Sequence, residues 1–444
     1  MGVGTGGRSL LVISPHFPPD ATAGAHRVRV LAPYLDAHGW RPTVLTVDPR
    51  DYEGTLDEDL EARVPASLDV VRCRAWSPGR TRRLGLGDLG LRALSGLWRE
   101  SRAQVERSHY DAVYITTYPI YPALIGPWLA RRFGVPFVLD LQDPWVGAWG
   151  ATVGGGRAGA VDMKSRMSRA VAMRLERYVV PRASALTGVS TALLDELVTR
   201  YPALAARPRA ALPIGIDPGD MDWARAHDRP ASWLPSRDGR LHVCYVGTAL
   251  PLGQDVLAAV CAAVARVRAS DPARADRIRL HFIGTSNEAR PHAAPRVTAL
   301  ATRAGIADLV SEHPPRVPFF DALRVLDRAS VILLAGTSEA RYTASKLHGA
   351  LAAGRPLLAV FHAASDVTRA LAPLAARAPG VCLLTYDEAR PVETLVDTIA
   401  ATLTQWADAP PEAPVLPADV DDAMAPALAG RLAALLNEVV DARG

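Results

Sequence analysis

The chain contains 444 residues, of which 49% are hydrophobic and 22% are charged, and its formal net charge is +4. This length exceeds one ordinary hydrophobic core and predicts two or three domains, while the composition excludes a disordered chain. The small net charge gives no indication of a nucleic-acid partner. The four cysteines lie far apart without the spacing of metal ligands, so we expect buried, reduced thiols.

The apolar run near the N-terminus, from Leu10 to Ser14, is too short for the core of a signal peptide. No stretch of the sequence approaches the roughly 18 uncharged apolar residues that are needed to cross a bilayer. We therefore expect a cytoplasmic protein.

Short apolar runs alternate with longer amphipathic stretches along the first half of the chain. The pattern predicts strands at 10–14, 43–47, 68–73, 112–115, 137–140 and 185–189, and helices at 25–38, 120–133 and 191–200. Apolar strands joined by helical crossovers are typical of a parallel sheet that is covered on both faces.

The same alternation starts again in the second half of the chain. It predicts strands at 241–247, 279–284, 331–335 and 356–360, with helices at 254–267, 348–353 and 419–441. Pro, Gly and Asp concentrate at 214–229, which favours a domain boundary there. We therefore predict an α/β protein with Rossmann-like domains at 1–215 and 216–415, and a C-terminal helix within 416–444 that could pack back across the linker.

Two Arg-rich stretches, 76–107 and 164–182, interrupt this alternation. Their spaced apolar residues indicate either surface helices with an apolar stripe or a peripheral contact with anionic lipid. The sequence leaves both interpretations open.

The loop after the first strand carries His16, and Gly24 and Arg27 follow at the start of the next helix. Open α/β sheets bind ligands at the carboxyl ends of their strands. Gly24 would allow a close backbone approach, and Arg27 would add charge beside a helix N-terminus that faces a phosphate. An ordinary strand-to-helix turn is the alternative.

Another predicted strand of the first half ends in Asp140, Asp143 and Trp145. Two carboxylates and an aromatic ring at a strand end suit catalysis or the binding of an acceptor molecule. The alternative is that Asp143, which precedes a proline, only forms a turn.

In the second half, Ser345 suits a helix N-cap, and Lys346 beside free N–H groups predicts a diphosphate site. The alternative for Lys346 is a simple surface lysine. Gly247 and Thr248 follow the first strand of this half, at the same predicted edge of the sheet.

Taken together, these segments resemble the bacterial glycosyltransferases of family 4, which have the GT-B fold. The residues that carry the resemblance are His16–Pro19 with Gly24 and Arg27, the interdomain turn Leu212–Asp217, Ser345–Leu347, and Ala352–Pro356. Their order along the chain, rather than any one of them, makes the resemblance specific.

The resemblance implies retaining transfer of a sugar from a nucleotide-sugar donor to a hydroxyl of a saccharide, lipid-linked glycan or natural product. No metal or other cofactor is expected. The second half would hold the donor and the first half the acceptor. The residues expected at the donor are Gly24, Arg27, Gly247, Thr248, Arg341, Ser345, Lys346 and Leu347; those expected in catalysis are Asp140, Asp143 and Lys346; those expected at the acceptor are His16 and Trp145.

The sequence departs from the family where two glutamates are usual, because the corresponding positions are Arg341 and Gly349. The second glutamate usually holds the donor ribose, so ribose recognition must be different, weaker or absent here. A rival interpretation is an inactive GT-B protein that binds a sugar nucleotide or scaffolds a biosynthetic complex. An epimerase of the same fold would need a cluster of acids and histidines that we do not find in the sequence.

Overall fold

The computed structural model describes residues 7–82, 87–146, 163–286, 293–337, 346–414 and 424–443, with the backbone alone at 163–166. The chain divides into two compact units. Unit 1 comprises 1–215 together with 423–444, and unit 2 comprises 216–422.

Within its described residues, unit 1 contains a parallel sheet of seven strands in the order β3-β2-β1-β4-β5-β6-β7. The direction in which strands are added reverses between β1 and β4, and such a switch point is where open α/β sheets bind ligands. The strands are β1 (Arg8–Ile13), β2 (Trp40–Val47), β3 (Asp69–Cys73), β4 (Ala112–Thr116), β5 (Phe137–Leu141), β6 (Ala185–Gly188) and β7 (Arg209–Ala211).

Helices cover both faces of this sheet and bury its apolar side chains in two clusters. The first helix ends earlier than predicted, because Pro33 lacks the N–H that would continue it. Two short 3₁₀ turns, Ala32–Tyr34 and Asp36–His38, follow it. The helices are α1 (Ala23–Leu31), α2 (Glu58–Ala62), α3 (Pro78–Thr81), α4 (Leu89–Arg107), α5 (Ile125–Phe133), α6 (Met163–Val179) and α7 (Thr191–Arg200).

The described part of unit 2 contains a second parallel sheet, of six strands in the order β10-β9-β8-β11-β12-β13. Its switch point lies between β8 and β11. The strands are β8 (Leu241–Val246), β9 (Ile278–Ile283), β10 (Val310–His313), β11 (Val331–Ala335), β12 (Leu357–His362) and β13 (Val381–Tyr386).

The helices of unit 2 pack their apolar faces on this sheet and form one large core cluster. They are α8 (Pro218–Ala226), α9 (Gln254–Ser270), α10 (Pro272–Ala275), α11 (Thr298–Arg303), α12 (Phe319–Arg328), α13 (Lys346–Ala352), α14 (Asp366–Ala375) and α15 (Val396–Asp408).

The C-terminal helix α16 (Ala425–Asp441) belongs to unit 1 although it follows unit 2 in the sequence. Its buried leucines Leu428, Leu432 and Leu436 share a core cluster with Val28 and Leu31 of α1. The chain therefore crosses back to its first unit before it ends.

The predicted α/β class is confirmed, since the chain forms two parallel-sheet Rossmann-like units. Of the two Arg-rich stretches, α4 buries Ala93 and Leu97 in the core, whereas α6 leaves Met167 and Met173 exposed. Among the described helices, none combines the length and the apolar character needed to span a membrane.

Candidate functional site

The switch point of unit 2 is occupied by the side chain of Lys346, the first residue of α13. Its Nζ donates a hydrogen bond to the hydroxyl of Tyr245 at 3.0 Å and lies 3.5 Å from the carbonyl oxygen of Thr248. The same Nζ lies 4.5 Å from the centroid of the Tyr245 ring, within cation–π range. The lysine is thus directed at the carboxyl end of β8.

The charge of Lys346 has no carboxylate partner among the described residues. Burial lowers the pKa of its ammonium from 10.5 to about 8, because desolvation disfavours the charged form. An anion at this position would stabilise the charged form and raise that pKa again. A desolvated cation at a switch point therefore favours an anionic ligand.

Gly247 makes room for this lysine. Its φ of +113° lies in the region that side-chain-bearing residues rarely adopt. A Cβ at this position would lie 2.3 Å from Cε and 2.6 Å from Nζ of Lys346. The turn Gly247–Thr248 therefore shapes the lysine's surroundings, and the carbonyl of Thr248 also accepts a hydrogen bond from Tyr245 at 2.8 Å.

A small recess adjoins this turn between the ends of β8 and β11. On one wall, the carbonyl oxygen of Thr337 accepts a hydrogen bond from the Tyr386 hydroxyl at 2.7 Å. The recess is lined by Tyr245, Thr248, Leu250, Gly253, Leu257, Ala335, Gly336 and Thr337.

The other donor-site predictions in unit 2 divide into two groups. Arg341 and Ser345 lie outside the described residues. Leu347 is buried in α13, where it contributes to packing. At Gly349 an ideal Cβ would lie 3.8 Å from Leu326 and 4.0 Å from Leu323 of α12, so the position has room for a side chain.

In unit 1, Arg27 and Asp140 bind each other inside the protein. Arg27 Nε lies 3.1 Å from Asp140 Oδ2, and both side chains are 0% exposed. Arg27 also donates to the carbonyl oxygen of Pro213 at 3.0 Å, and Thr187 donates to Asp140 Oδ1 at 2.7 Å. Neither side chain is exposed, and through Pro213 the pair joins β5 to the end of the unit. The predicted roles of Arg27 at the donor phosphate and of Asp140 in catalysis stay predictions.

Gly24 has a packing reason for lacking a side chain. A Cβ at Gly24 would lie 2.6 Å from a ring carbon of Tyr118 and 3.4 Å from His16. The glycine therefore admits the Tyr118 ring beside His16 at the switch point of unit 1, between the ends of β1 and β4.

His16 itself is held by a carboxylate. Its Nδ1 is hydrogen-bonded to Asp20 Oδ2 and lies 3.1 Å from the Thr22 hydroxyl. The ring stacks on Tyr52 with centroids 6.2 Å apart, and its centroid lies 5.7 Å from that of Tyr118. These aromatic and acidic neighbours were not predicted. The strand-end argument that selected His16 would have selected Tyr118 as well.

Asp143 and Trp145 follow β5 in the same unit. Asp143 remains exposed, although nearby protein desolvates its carboxyl group and raises its pKa. Trp145 is partly buried against the core, and among the described residues its indole N–H has no hydrogen-bond partner. Their predicted roles in catalysis and acceptor binding stay predictions.

The described residues at the two switch points form no cluster of metal ligands. Within the ranges given above, no three His, Cys, Asp or Glu side chains lie close enough together to hold a metal ion. In the described part of the chain, the switch points present the desolvated Lys346 cation in unit 2 and the carboxylate-bound imidazole of His16 in unit 1.

Residues 22–215, within unit 1, match the model of the family described as "Glycosyl transferase 4-like domain". The chain is also similar to the D-inositol 3-phosphate glycosyltransferase of Geodermatophilus obscurus. The two are 29% identical over 299 residues, which cover 63% of this chain and 61% of that protein. The chain thus matches about three fifths of the length of this relative.

Two solved structures share the fold over nearly the whole chain. The Anabaena protein HepE, in complex with UDP-glucose, superimposes with a TM-score of 0.51 at 13% identity, covering 98% of both chains. An α,α-trehalose-phosphate synthase (UDP-forming) of Burkholderia vietnamiensis gives a TM-score of 0.54 at 14% identity, also covering 98% of both chains. At these identities the likeness shows the fold alone.

Proposed function

We propose that this chain, whose residues 22–215 match the glycosyltransferase 4-like domain model, transfers a hexosyl group from a nucleotide sugar to a hydroxyl acceptor. The observation that carries the proposal is Lys346, a desolvated cation without a described carboxylate partner at the switch point of unit 2. A nucleotide diphosphate is an anion that suits such a position. The UDP-glucose bound by HepE makes UDP-sugars the first donors to test.

Lys346 would act on the leaving group. As the bond between the anomeric carbon and the diphosphate breaks, negative charge builds up on the phosphate oxygens. A preorganised ammonium, aimed by Tyr245 and Thr248 and poorly solvated, stabilises that charge more than water does. This chemistry requires no metal ion or other cofactor, and we propose that none takes part.

The acceptor would bind to unit 1, where His16 and the exposed Asp143 lie at strand ends. Trp145, two residues after Asp143, would offer an aromatic ring to the acceptor. The family resemblance supports a hydroxyl of a saccharide, lipid-linked glycan or natural product, and retention of the anomeric configuration. Arg27 and Asp140 support this region from within, since both are buried.

The test is transfer with a panel of UDP-, GDP-, dTDP- and CMP-sugars, each with and without EDTA. We expect turnover with at least one donor, unchanged by EDTA, and NMR of the product would report the anomeric configuration. Binding of a donor without hydrolysis or transfer, for every acceptor class, would favour the inactive sugar-nucleotide-binding protein. Failure of every donor to bind would contradict both functions.

We also propose a cytoplasmic location with peripheral contact to an anionic membrane, supported by α6. Met167 and Met173 are exposed on this helix, and its sequence is rich in arginine. Co-sedimentation with vesicles that contain anionic lipid should decrease in Met167→Ser/Met173→Ser. If the double variant co-sediments with these vesicles as much as the original protein does, the proposed membrane contact is contradicted.

A further inference from the structure

Residues 233–240, the segment that leads into β8, contact the sheet of unit 2 through two histidines. Asp238 Oδ1 accepts a hydrogen bond of 2.8 Å from Nε2 of His242, the second residue of β8. Trp233 stacks on the ring of His313 in β10, with centroids 5.2 Å apart and an interplanar angle of 28°. The segment therefore contacts the strands on both sides of β9.

A further imidazole extends the contact at β8. Nδ1 of His242 lies 2.8 Å from Nε2 of His281 in β9, and the His242 side chain is only 5% exposed. Because Nε2 of neutral His242 donates to Asp238, its Nδ1 is an acceptor, and His281 supplies the proton between the two rings. Asp238, His242 and His281 thus form a hydrogen-bonded chain with one proton in each link.

This chain cannot hold two protonated rings. Two imidazolium ions would direct N–H groups at each other across 2.8 Å, without an acceptor between them. Burial, together with the charges of His242 and Arg279, lowers the pKa of His281 from 6.5 to about 4. Burial also lowers the pKa of His313, on which Trp233 stacks. Both rings are therefore kept neutral while the segment lies on the sheet.

The other charged groups around these histidines do not titrate in the same range. The hydrogen bond from His242 lowers the pKa of Asp238, and Arg240 lies 3.6 Å from that carboxylate. The charged side chains of α12, the helix that packs against β8, take part in ion pairs of their own. These pairs are Arg324–Asp321, Asp327–Arg225 and Arg328–Asp228. Of the groups named, only the histidines titrate between about pH 4 and 7.

We propose that residues 233–240 form a proton-sensitive clasp, which is released from the sheet of unit 2 when the histidines beneath it take up protons. In the released state the rings are solvated and titrate near their ordinary pKa of about 6.5. The released state then binds more protons than the closed state, so release becomes more favourable as the pH falls below about 6.5 and levels off near 4 for His281. Above about pH 7 both states are neutral, and pH has no effect. The inference does not depend on the proposed glycosyl transfer.

The test is amide hydrogen exchange of the full-length protein at pH 7.5, 6.5, 5.5 and 4.5, with the rates corrected for the intrinsic effect of pH. The reporter amides are those of Leu234, which donates to the Ala231 carbonyl at 3.1 Å, and Arg240, which donates to Asp238 Oδ1 at 3.1 Å. We expect their protection to fall by roughly 30- to 100-fold between pH 6.5 and 4.5 through His281 alone, and to recover at pH 7.5. The amides of β11, which is paired on both sides, should stay protected.

The variant that isolates the histidines is His281→Gln/His313→Gln. The amide of glutamine can still donate to His242 Nδ1, but it takes up no proton in this range. The loss of protection between pH 6.5 and 4.5 should therefore shrink to about threefold or less. His109→Gln is the control, because the His109 side chain is 84% exposed in unit 1, and it should behave as the original protein does.

Equal corrected protection at pH 7.5 and 4.5 in the original protein would overturn the proposal, and this result requires no variant. An undiminished pH dependence in the double variant would overturn it as well, since other groups would then drive the release. Equal loss of protection in β11 would show that unit 2 unfolds as a whole and would also contradict the clasp. Should the double variant be unprotected at every pH, His281→Gln alone is judged by the same criterion: a smaller pH dependence than in the original protein supports the clasp, and an equal one overturns it.

Discussion

Arg27 and Asp140, which lie 113 positions apart in the sequence, form an ion pair of 3.1 Å in which neither side chain is exposed. Arg27 comes from α1 and Asp140 from β5. Through Arg27 the pair also holds Pro213, two residues before the boundary of unit 1. The pair therefore fixes the carboxyl end of the sheet to the segment where the chain leaves the unit.

Breaking this pair should destabilise unit 1. Arg27→Met leaves a buried carboxylate without its counter-charge, and we expect the free energy of unfolding to fall by about 3–5 kcal/mol. Urea unfolding monitored by fluorescence would measure it. The double variant Arg27→Met/Asp140→Asn should lose less than the sum of the two single variants, because neither charge is then left alone. Additive losses would mean that the two residues do not interact.

The affinity for UDP should depend on the protonation of Lys346. Because burial lowers the pKa of this lysine to about 8, the free protein loses the charge as the pH rises through that value. UDP affinity should therefore start to fall within about one pH unit below this pKa and, above it, fall by at most about tenfold per pH unit. Calorimetric titration from pH 6.5 to 9.5 measures this. In Lys346→Arg, whose guanidinium stays charged, the fall should disappear; its persistence would assign the pH dependence to another group.

Gly247 should tolerate no side chain without loss of ligand affinity. Gly247→Ala places a Cβ where Lys346 now lies and forces alanine to a φ of +113°. We expect UDP to bind about 10- to 100-fold more weakly, equivalent to one charge-assisted hydrogen bond. Gly305→Ala is the matched control, because Gly305 also has a positive φ of +73° but no atom within 4 Å of its Cβ position. Equal UDP affinity in both variants would show that Gly247 does not shape the lysine site.

Restoring the acid that the family usually has at position 349 should strengthen donor binding. The Cβ position of Gly349 has ordinary contact distances to two leucines of α12, so Gly349→Glu should fold. If the glutamate reaches the ribose hydroxyls, UDP-sugar affinity should rise roughly tenfold or more, as for a hydrogen bond to a charged group. Gly349→Ala separates this gain from the helix stabilisation that any side chain brings. Equal affinities in the two variants would indicate that ribose is recognised elsewhere.

Most strands of both sheets are predictable because they are continuous apolar runs, as in Leu10–Ile13 and Val331–Ala335. β7, β10 and β13 are not among the predicted strands: β7 has only three residues, β10 reads Val-Ser-Glu-His without an apolar run, and β13 was missed although its Val-Cys-Leu-Leu run is apolar. The helix predicted to continue to His38 is replaced after Leu31 by 3₁₀ turns around Pro33. The first kind of difference arises where pairing with a neighbouring strand, as of β10 with β9, stabilises a strand that lacks an apolar run. The second arises where Pro33 lacks the N–H that would continue a helix.

From the sequence, only the location of the candidate-site residues near strand ends could be predicted, and not their side-chain contacts. The strand-end argument placed His16 and Asp140 at strand ends of unit 1, and the argument from a helix N-terminus placed Lys346, which the structure has at the first residue of α13. It could not show that Asp140 turns inward to meet Arg27, since that contact depends on how α1 packs against β5. Nor could it show that Asp20, four residues after His16, would bind the imidazole, because a turn's side-chain directions are set by tertiary packing.

We propose that Lys346 neutralises the leaving diphosphate, and the most direct measurement is kcat of Lys346→Ala with the best donor of the panel. Arg266→Ala, which removes one positive charge from an exposed side chain of α9, is the control. Lys346→Ala should lower kcat by roughly two to three orders of magnitude, the usual effect of losing one preorganised group at the developing charge, while Arg266→Ala should leave kcat unchanged. An unaltered kcat in Lys346→Ala would remove this lysine from the reaction.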